Sequence, residues 1–435
     1  MSLRTIGENG TQYSLMAFDA NGEERDRTIS DRLLETAASE NISNIFLFSH
    51  GWMGDVPAAI DQYDRWIGRL ATLAADRQRA AQVFPSFRPL YIGLHWPSLP
   101  WGDEELEDGS FGGPAEGLHP KALFEAYLGR LGDTPDVRSA LGTIIDKAQR
   151  NAAAEHLSTE LRDAFLDLHR ALDLRSEGAS GAPDADCEPF DPDAVFEVDG
   201  ASFGAFEVFG GCLGFLRFCS FWTMKKRARK IGEGGMHSFI KRLQQATQAR
   251  IHLMGHSFGC IVISSILAGP GGRGMLERPI DSVALVQGAV SLWSYAPLIP
   301  FDGGEPGYFH RVLADGRVAG PLITTRSRFD TAVGRMYPAA SALSMAVSFA
   351  AGGFPRYGAI GAFGLQGLSD SVKSDATMLK VDGEYEFVAG RVYNLEASPF
   401  ISHGGGSSGA HNDIDGPEVA HAIWQAALSS AMGGR

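Results

Sequence analysis

Arg250-Ile251-His252-Leu253-Met254-Gly255-His256-Ser257-Phe258-Gly259-Cys260-Ile261-Val262-Ile263 reads as strand, tight turn and helix. The first five residues form an apolar run of strand length, and the last four open an apolar helix. Between them, Gly255 to Gly259 carries the Gly-x-Ser-x-Gly pattern of a nucleophile elbow. A turn this tight brings the helix against the strand, and side chains at the two flanking positions would collide. The serine accepts backbone strain and gains exposure at the carboxyl edge of a sheet. The competing reading is an ordinary glycine-bordered turn. The apolar strand before it and the apolar helix after it favour the nucleophile.

Upstream, Ile45 to Ser49 is an apolar strand running into His50-Gly51-Trp52-Met53-Gly54. Ile60, Tyr63, Ile67, Leu70 and Ala74 recur at helical spacing, and Pro89 to His95 is the next strand. Strand, helix, strand in this order predicts parallel pairing with helices on the sheet faces, joined by right-handed crossovers. Residues 13–19 read as a further strand, Asn21-Gly22 as a hairpin turn, and Asp31 to Ala38 as a helix capped by Ser30. Downstream, the pattern predicts a helix over 236–248 and strands over 281–287, 321–325 and, last, 391–397. Pro417 opens the final helix. Residues 339–368, rich in Ala, Gly and Phe, carry no clear period.

The alternation fails between residues 101 and 234. This assigns 1–100 and 235–435 to an α/β core and 101–234 to an inserted helical cap or lid. Within the insert, Ala154, Leu157, Leu161, Phe165, Leu168 and Leu172 mark an amphipathic helix, and the Gly, Pro and Asp of 176–193 mark a loop. Residues 202–224 are apolar, but four glycines and the charges of Glu207 and Arg217 argue against a membrane span and for a buried or half-buried cap segment. Lys225-Lys226-Arg227-Ala228-Arg229-Lys230 then reads as a solvated helix face, with contact of 202–230 with an anionic membrane surface as the less favoured alternative.

The chain has 435 residues, enough for one large domain with an insertion or two smaller ones. With 44% hydrophobic and 21% charged residues, it falls in the globular class. A net charge of −14 argues against nucleic acid as a partner. The 4 cysteines form no Cys-x-x-Cys pair, which argues against a zinc knuckle or redox dithiol, and Cys260 reads as a packing residue. No His-Glu-x-x-His spacing occurs, so neither a metal nor another cofactor is implied. Met1 to Gln12 is polar and lacks a signal core, which predicts a cytoplasmic protein or signal-independent export.

A serine hydroxyl needs a base within hydrogen-bond reach, and the base needs an orienting carboxylate. After an elbow of this kind the partners follow in the order acid, then histidine. Leu322 to Asp330 is an apolar strand running into a short polar loop that ends in a carboxylate. Asp330 is therefore the expected acid, against the simpler reading that it caps a helix beginning near Thr331. Asp302 is the reserve, and Glu396 a weaker one inside the last strand. His403 and His411 compete for the base, and His411 is preferred because it stands nearer the final helix with Ile414 to anchor its loop. The expected oxyanion donors are the backbone N–H groups of Phe258 and Trp52, with Met53 in reserve and Gly51 allowing close approach. Gly51, Met53, His256 and Trp293 are the expected substrate contacts. Trp293 belongs to an aromatic loop, 288–320, that also carries Tyr295, Phe301, Tyr308 and Phe309.

On Ser49-His50-Gly51-Trp52, the elbow Leu253 to Gly259, and the ordered Asp330 and His411, the chain resembles the lipase/esterase-like branch of the α/β-hydrolase superfamily. The resemblance covers residues 13–100 and 235–430. It implies a mostly parallel central sheet flanked by helices, with an inserted cap. It also implies a serine carboxylic-ester hydrolase acting through an acyl-enzyme on a small-molecule or lipid ester with an apolar part. A non-catalytic binding protein on the same fold, or an acyltransferase or peptidase using the same serine, are the other expectations.

Overall fold

Ile45, Phe46, Leu47 and Phe48 are all fully buried, as a strand covered by helices on both faces requires. Their side chains divide with the period of two that a strand imposes. Ile45 and Leu47 join one apolar cluster with Ile92, Leu94, Ile251, Leu253, Val283 and Leu285. Phe46 and Phe48 join another, on the opposite face, with Tyr91, Met254, Ala284, Val286 and Ile323.

The computed structural model describes residues 3–7, 10–52, 56–84, 86–98, 120–150, 157–174, 182–187, 190–196, 210–301, 303–337, 353–405 and 408–432. Among them, nine strands form one sheet: β1 (Leu3–Ile6), β2 (Thr11–Ala17), β3 (Asn44–Ser49), β4 (Pro89–His95), β5 (Arg250–His256), β6 (Ser282–Val286), β7 (Leu322–Arg326), β8 (Lys373–Thr377) and β9 (Val392–Glu396). The order across the sheet is β1-β2-β4-β3-β5-β6-β7-β9-β8. Only β1 and β2 pair antiparallel; every other neighbouring pair is parallel.

The described helices are α1 (Arg27–Ser39), α2 (Val56–Thr72), α3 (Ala74–Val83), α4 (Pro120–Leu131), α5 (Pro135–Arg150), α6 (Thr159–Ala171), α7 (Gly210–Ile231), α8 (His237–Ala246), α9 (Gly259–Ala268), α10 (His310–Ala314), α11 (Ile360–Phe363) and α12 (Pro417–Met432). Side chains of α1 and α4 to α9 join the cluster on one sheet face, and those of α2, α3 and α12 the cluster on the other. The register Ser49↔Gly255 sets the carboxyl ends of β3 and β5 side by side. The loop after β3 therefore arrives beside the turn after β5.

Several local expectations change. Helix α1 begins at Arg27, because the Asp26 carboxylate caps the Thr28 N–H at 3.0 Å, while Ser30 lies inside the helix and bonds the Arg27 carbonyl. The amphipathic helix assigned from Ala154 starts at Thr159, where Ser158 caps Leu161; Leu157 precedes it and Ala154 lies outside the described residues. The edge strands β1 and β8 carry no strong apolar alternation, which hid them from a pattern search. Of the insert, 101–119 and 202–209 lie outside the described residues, as do 339–352 of the unassigned stretch.

The basic cluster 225–230 is not a solvated face. Lys225 is fully buried; its ammonium bonds the Tyr337 hydroxyl at 2.9 Å and lies 4.2 Å from the Trp222 ring centroid. Burial pushes its pKa down to about 8, against the opposing pull of Asp186. Arg227 bonds the carbonyls of Pro97 and Arg130, and Arg229 pairs with Asp184 at 2.6 Å. Among the described residues no helix is long and apolar enough to cross a membrane.

Candidate active site

Ser257 adopts a φ of 53°, a left-handed conformation that non-glycine residues rarely take. It is held there from both sides. A Cβ on Gly255 would lie 2.6 Å from the backbone of Gly259, and one on Gly259 would lie 2.2 Å from the Ser49 carbonyl oxygen. Glycine at both positions therefore lets α9 start directly against β3 and β5. The Ser257 N–H reaches the Val286 carbonyl at 3.3 Å, and the Ser257 carbonyl accepts from Ala289 at 3.1 Å.

The three side chains expected to share chemistry are in contact. The Ser257 hydroxyl lies 2.8 Å from His411 Nε2, and His411 Nδ1 lies 2.7 Å from Asp330 Oδ2. All three residues are buried, with Ser257 5% and His411 6% exposed. A neutral His411 that donates from Nδ1 to the carboxylate presents an unprotonated Nε2 to the serine O–H, which is the tautomer a general base requires.

Asp330 makes both of the contacts weighed for it. Oδ1 accepts from the Val333 N–H at 3.1 Å, capping the turn that follows, while Oδ2 faces His411. Oδ2 has a second donor that sequence reasoning missed: Gln287 Nε2, at 2.8 Å. Gln287 is fully buried at the end of β6 with a φ of 45°. Its amide is fixed by the Gly361 carbonyl at 3.1 Å and by the Thr325 hydroxyl at 2.9 Å. No spacing rule marks it; its position just past a central strand beside the elbow strand is the signal that was available.

The loop after β3 is braced from several directions. His50 Nδ1–H donates to the Gly51 carbonyl at 2.7 Å, and Nε2 accepts from the Trp96 N–H at 3.3 Å. Burial first, and His95 second, push the His50 pKa down to about 3, so the ring is neutral. The Tyr63 hydroxyl accepts from the His50 N–H at 2.7 Å and donates to the Leu94 carbonyl at 2.5 Å. The half-buried Trp52 stacks on the Phe258 ring, centroids 5.4 Å apart, and Phe221 of α7 meets both rings edge-on. The Phe258 N–H, at the amino end of α9, makes no hydrogen bond to a described residue.

No family model matches this chain, and neither does a curated protein or a solved structure.

The other expected residues fare differently. Met53 and Asp302 lie outside the described residues. Glu396 ends β9 and engages Ser398 and Arg326. His403 is largely exposed, with its ring beside Asp413. Trp293 is buried in a small cluster with Leu292 and Ile299 and donates to the Arg356 carbonyl at 3.1 Å. Tyr295 is likewise buried, its hydroxyl bonded to Ser264 at 2.7 Å. His256 is fully buried, with Gln62 on one side and the backbone of His411 on the other. Among the described residues, no group of three or more His, Cys, Asp or Glu side chains is placed to hold a metal ion.

Proposed function

We propose that the chain is a serine hydrolase of the α/β-hydrolase superfamily, lipase/esterase-like, that cleaves carboxylic esters with an apolar part. The unbroken hydrogen-bond chain from Ser257 through His411 to Asp330, on a serine with left-handed backbone, carries the reading. It is supported by the parallel sheet and by the chain order serine, acid, histidine.

In this mechanism Ser257 Oγ attacks the ester carbonyl carbon as His411 Nε2 takes its proton. The oxyanion is met by the N–H groups of Phe258 and Trp52, at the positive end of α9. Loss of one such donor costs about 2.7–4 kcal/mol in barrier. The tetrahedral intermediate collapses with cleavage of the carbon–oxygen bond to the alcohol, which leaves with the proton from His411. Water, deprotonated by His411, then attacks the acyl carbonyl carbon, and the carbon–oxygen bond to Ser257 breaks as His411 returns the proton to Oγ and the carboxylic acid leaves. The Asp330 carboxylate, 2.7 Å from Nδ1, stabilises the imidazolium. The rings of Trp52, Phe258 and Phe221 beside the proposed oxyanion position favour an apolar group there, with α7 as part of the cover.

Ser257→Ala is expected to abolish both turnover of nitrophenyl esters and labelling by a fluorophosphonate. A Ser257→Ala protein that still labels and turns over overturns the proposal. Activity confined to acetate esters in a chain-length series overturns the apolar specificity.

A further inference from the structure

We propose that His256, the residue before the nucleophile, is a positioning residue that locks the loop carrying His411 to the elbow through the His411 backbone carbonyl. The inference rests on the hydrolase reading above and adds a group that reading does not use.

His256 Nε2 lies 2.9 Å from the His411 carbonyl oxygen. A carbonyl only accepts, so Nε2 carries the proton and Nδ1 is left as an acceptor. Nδ1 meets Gln62 Nε2, an N–H donor on α2, at 3.0 Å. The Gln62 carbonyl oxygen is buried with no partner among the described residues, so the bond to His256 is what orients this amide. The reversed amide would set two acceptors against each other. The imidazole is thus fixed in one tautomer by groups from two different elements, and the Trp66 ring stands edge-on to it.

Two further backbone anchors of the His411 loop point elsewhere. The Ala410 N–H bonds the Phe329 carbonyl at 2.9 Å, and the Asp413 carboxylate accepts from Ser402 and His403 at 2.9 and 2.8 Å. These tie the loop to the segments after β7 and β9, on the acid side. His256 supplies a backbone tie on the nucleophile side, from the residue directly bonded to Ser257. One rigid turn thereby sets the position of both the hydroxyl and the base that receives its proton. Burial, together with the neighbouring His411, holds the His256 pKa well below the ordinary histidine value. Its ring therefore adds no positive charge, 4.9 Å from an imidazole that becomes cationic during turnover.

The test compares three variants with wild type: His256→Phe keeps a ring but has no donor, His256→Gln places an amide N–H near the original Nε2, and Gln62→Leu removes the group that sets the tautomer. Nitrophenyl ester kinetics, fluorophosphonate labelling rates and thermal unfolding are read on each. For His256→Phe, kcat and the labelling rate fall by about a hundred-fold while KM changes little, the loss expected of a displacement near 1 Å. His256→Gln restores most of that loss although its unfolding temperature falls as far as that of the Phe variant, and Gln62→Leu loses several-fold in kcat. Wild-type kcat in His256→Phe, or equal kcat loss in the Phe and Gln variants, overturns the proposal. Should the Phe variant not fold, unchanged kcat in Gln62→Leu overturns it. Wild-type protein that neither labels nor turns over overturns the hydrolase reading itself, and this inference with it.

Discussion

An alanine at position 51 would place its methyl carbon 2.5 Å from the Cβ of Ser257. Carbon atoms in contact sit about 3.5–4.0 Å apart, so the loop after β3 and the elbow must separate by about 1 Å or more. Neither side yields cheaply. The His256 carbonyl oxygen and Nδ1 lie at 3.1 and 3.2 Å from the same methyl and close the sideways escape. His50 and Tyr63 brace the loop from behind. The Trp52 N–H is thus displaced from the proposed oxyanion position while the Ser257–His411–Asp330 chain remains. A displacement of this size is worth about a hundred-fold in rate, or about 2.7 kcal/mol in barrier. The assay is kcat and KM on a nitrophenyl ester, with the labelling rate of Ser257 as a second measure. Gly68→Ala is the control: its methyl meets only Ile6 Cδ1, at 3.8 Å, inside α2. It should leave kcat unchanged and stabilise the fold by about 0.5–1 kcal/mol. A Gly51→Ala protein with kcat within about three-fold of wild type refutes the assignment of this loop to the oxyanion site.

Asp330→Asn should lower kcat by about 10³–10⁴-fold without unfolding the protein, through loss of the carboxylate that fixes the His411 tautomer; retention of kcat would remove Asp330 from the mechanism. Gln287→Leu deletes a buried donor to that carboxylate, and about 1.4 kcal/mol of lost orientation corresponds to a ten-fold fall in kcat; an unchanged kcat would count against it. The buried pair His421–Asp76, 2.8 Å apart, makes a prediction about stability. Burial alone would lower the His421 pKa, but the Asp76 hydrogen bond and charge and the Gly383 carbonyl outweigh it, and the pKa is raised. Below the unfolded value of about 6.5 its stabilisation is fully present, and it is lost as pH rises through the higher folded value. The unfolding-temperature gap between wild type and His421→Asn should therefore be wider at about pH 6 than at about pH 9, and a gap independent of pH would contradict the pairing.

The central strands and the three residues of the hydrogen-bond chain were legible in the amino-acid sequence for physical reasons. Fully buried parallel strands must be continuous apolar runs, as Asn44–Ser49 and Pro89–His95 are. An elbow constrains its own five residues, and the order of its partners makes the search directional. What stayed hidden depends on register between distant elements. Gln287 meets Asp330 across 43 positions and Gln62 meets His256 across 194, and no periodicity encodes either separation. Lys225 is the instructive case, because a signal for its burial was present. Read as a run of charges, 225–230 looks like a solvated face. Read in helical phase, Phe218, Phe221, Trp222, Lys225 and Ala228 fall on one stripe at spacings of three and four, and every one of them is buried. Lys225, in phase with three aromatic residues, buries its ammonium, and the ring faces and the Tyr337 hydroxyl are what receive it. The phase of a charge within an apolar stripe is therefore stronger evidence about its environment than the charges beside it in sequence. The same logic separates Lys225 from Lys230, the last charge of the run, which is off the stripe and exposed.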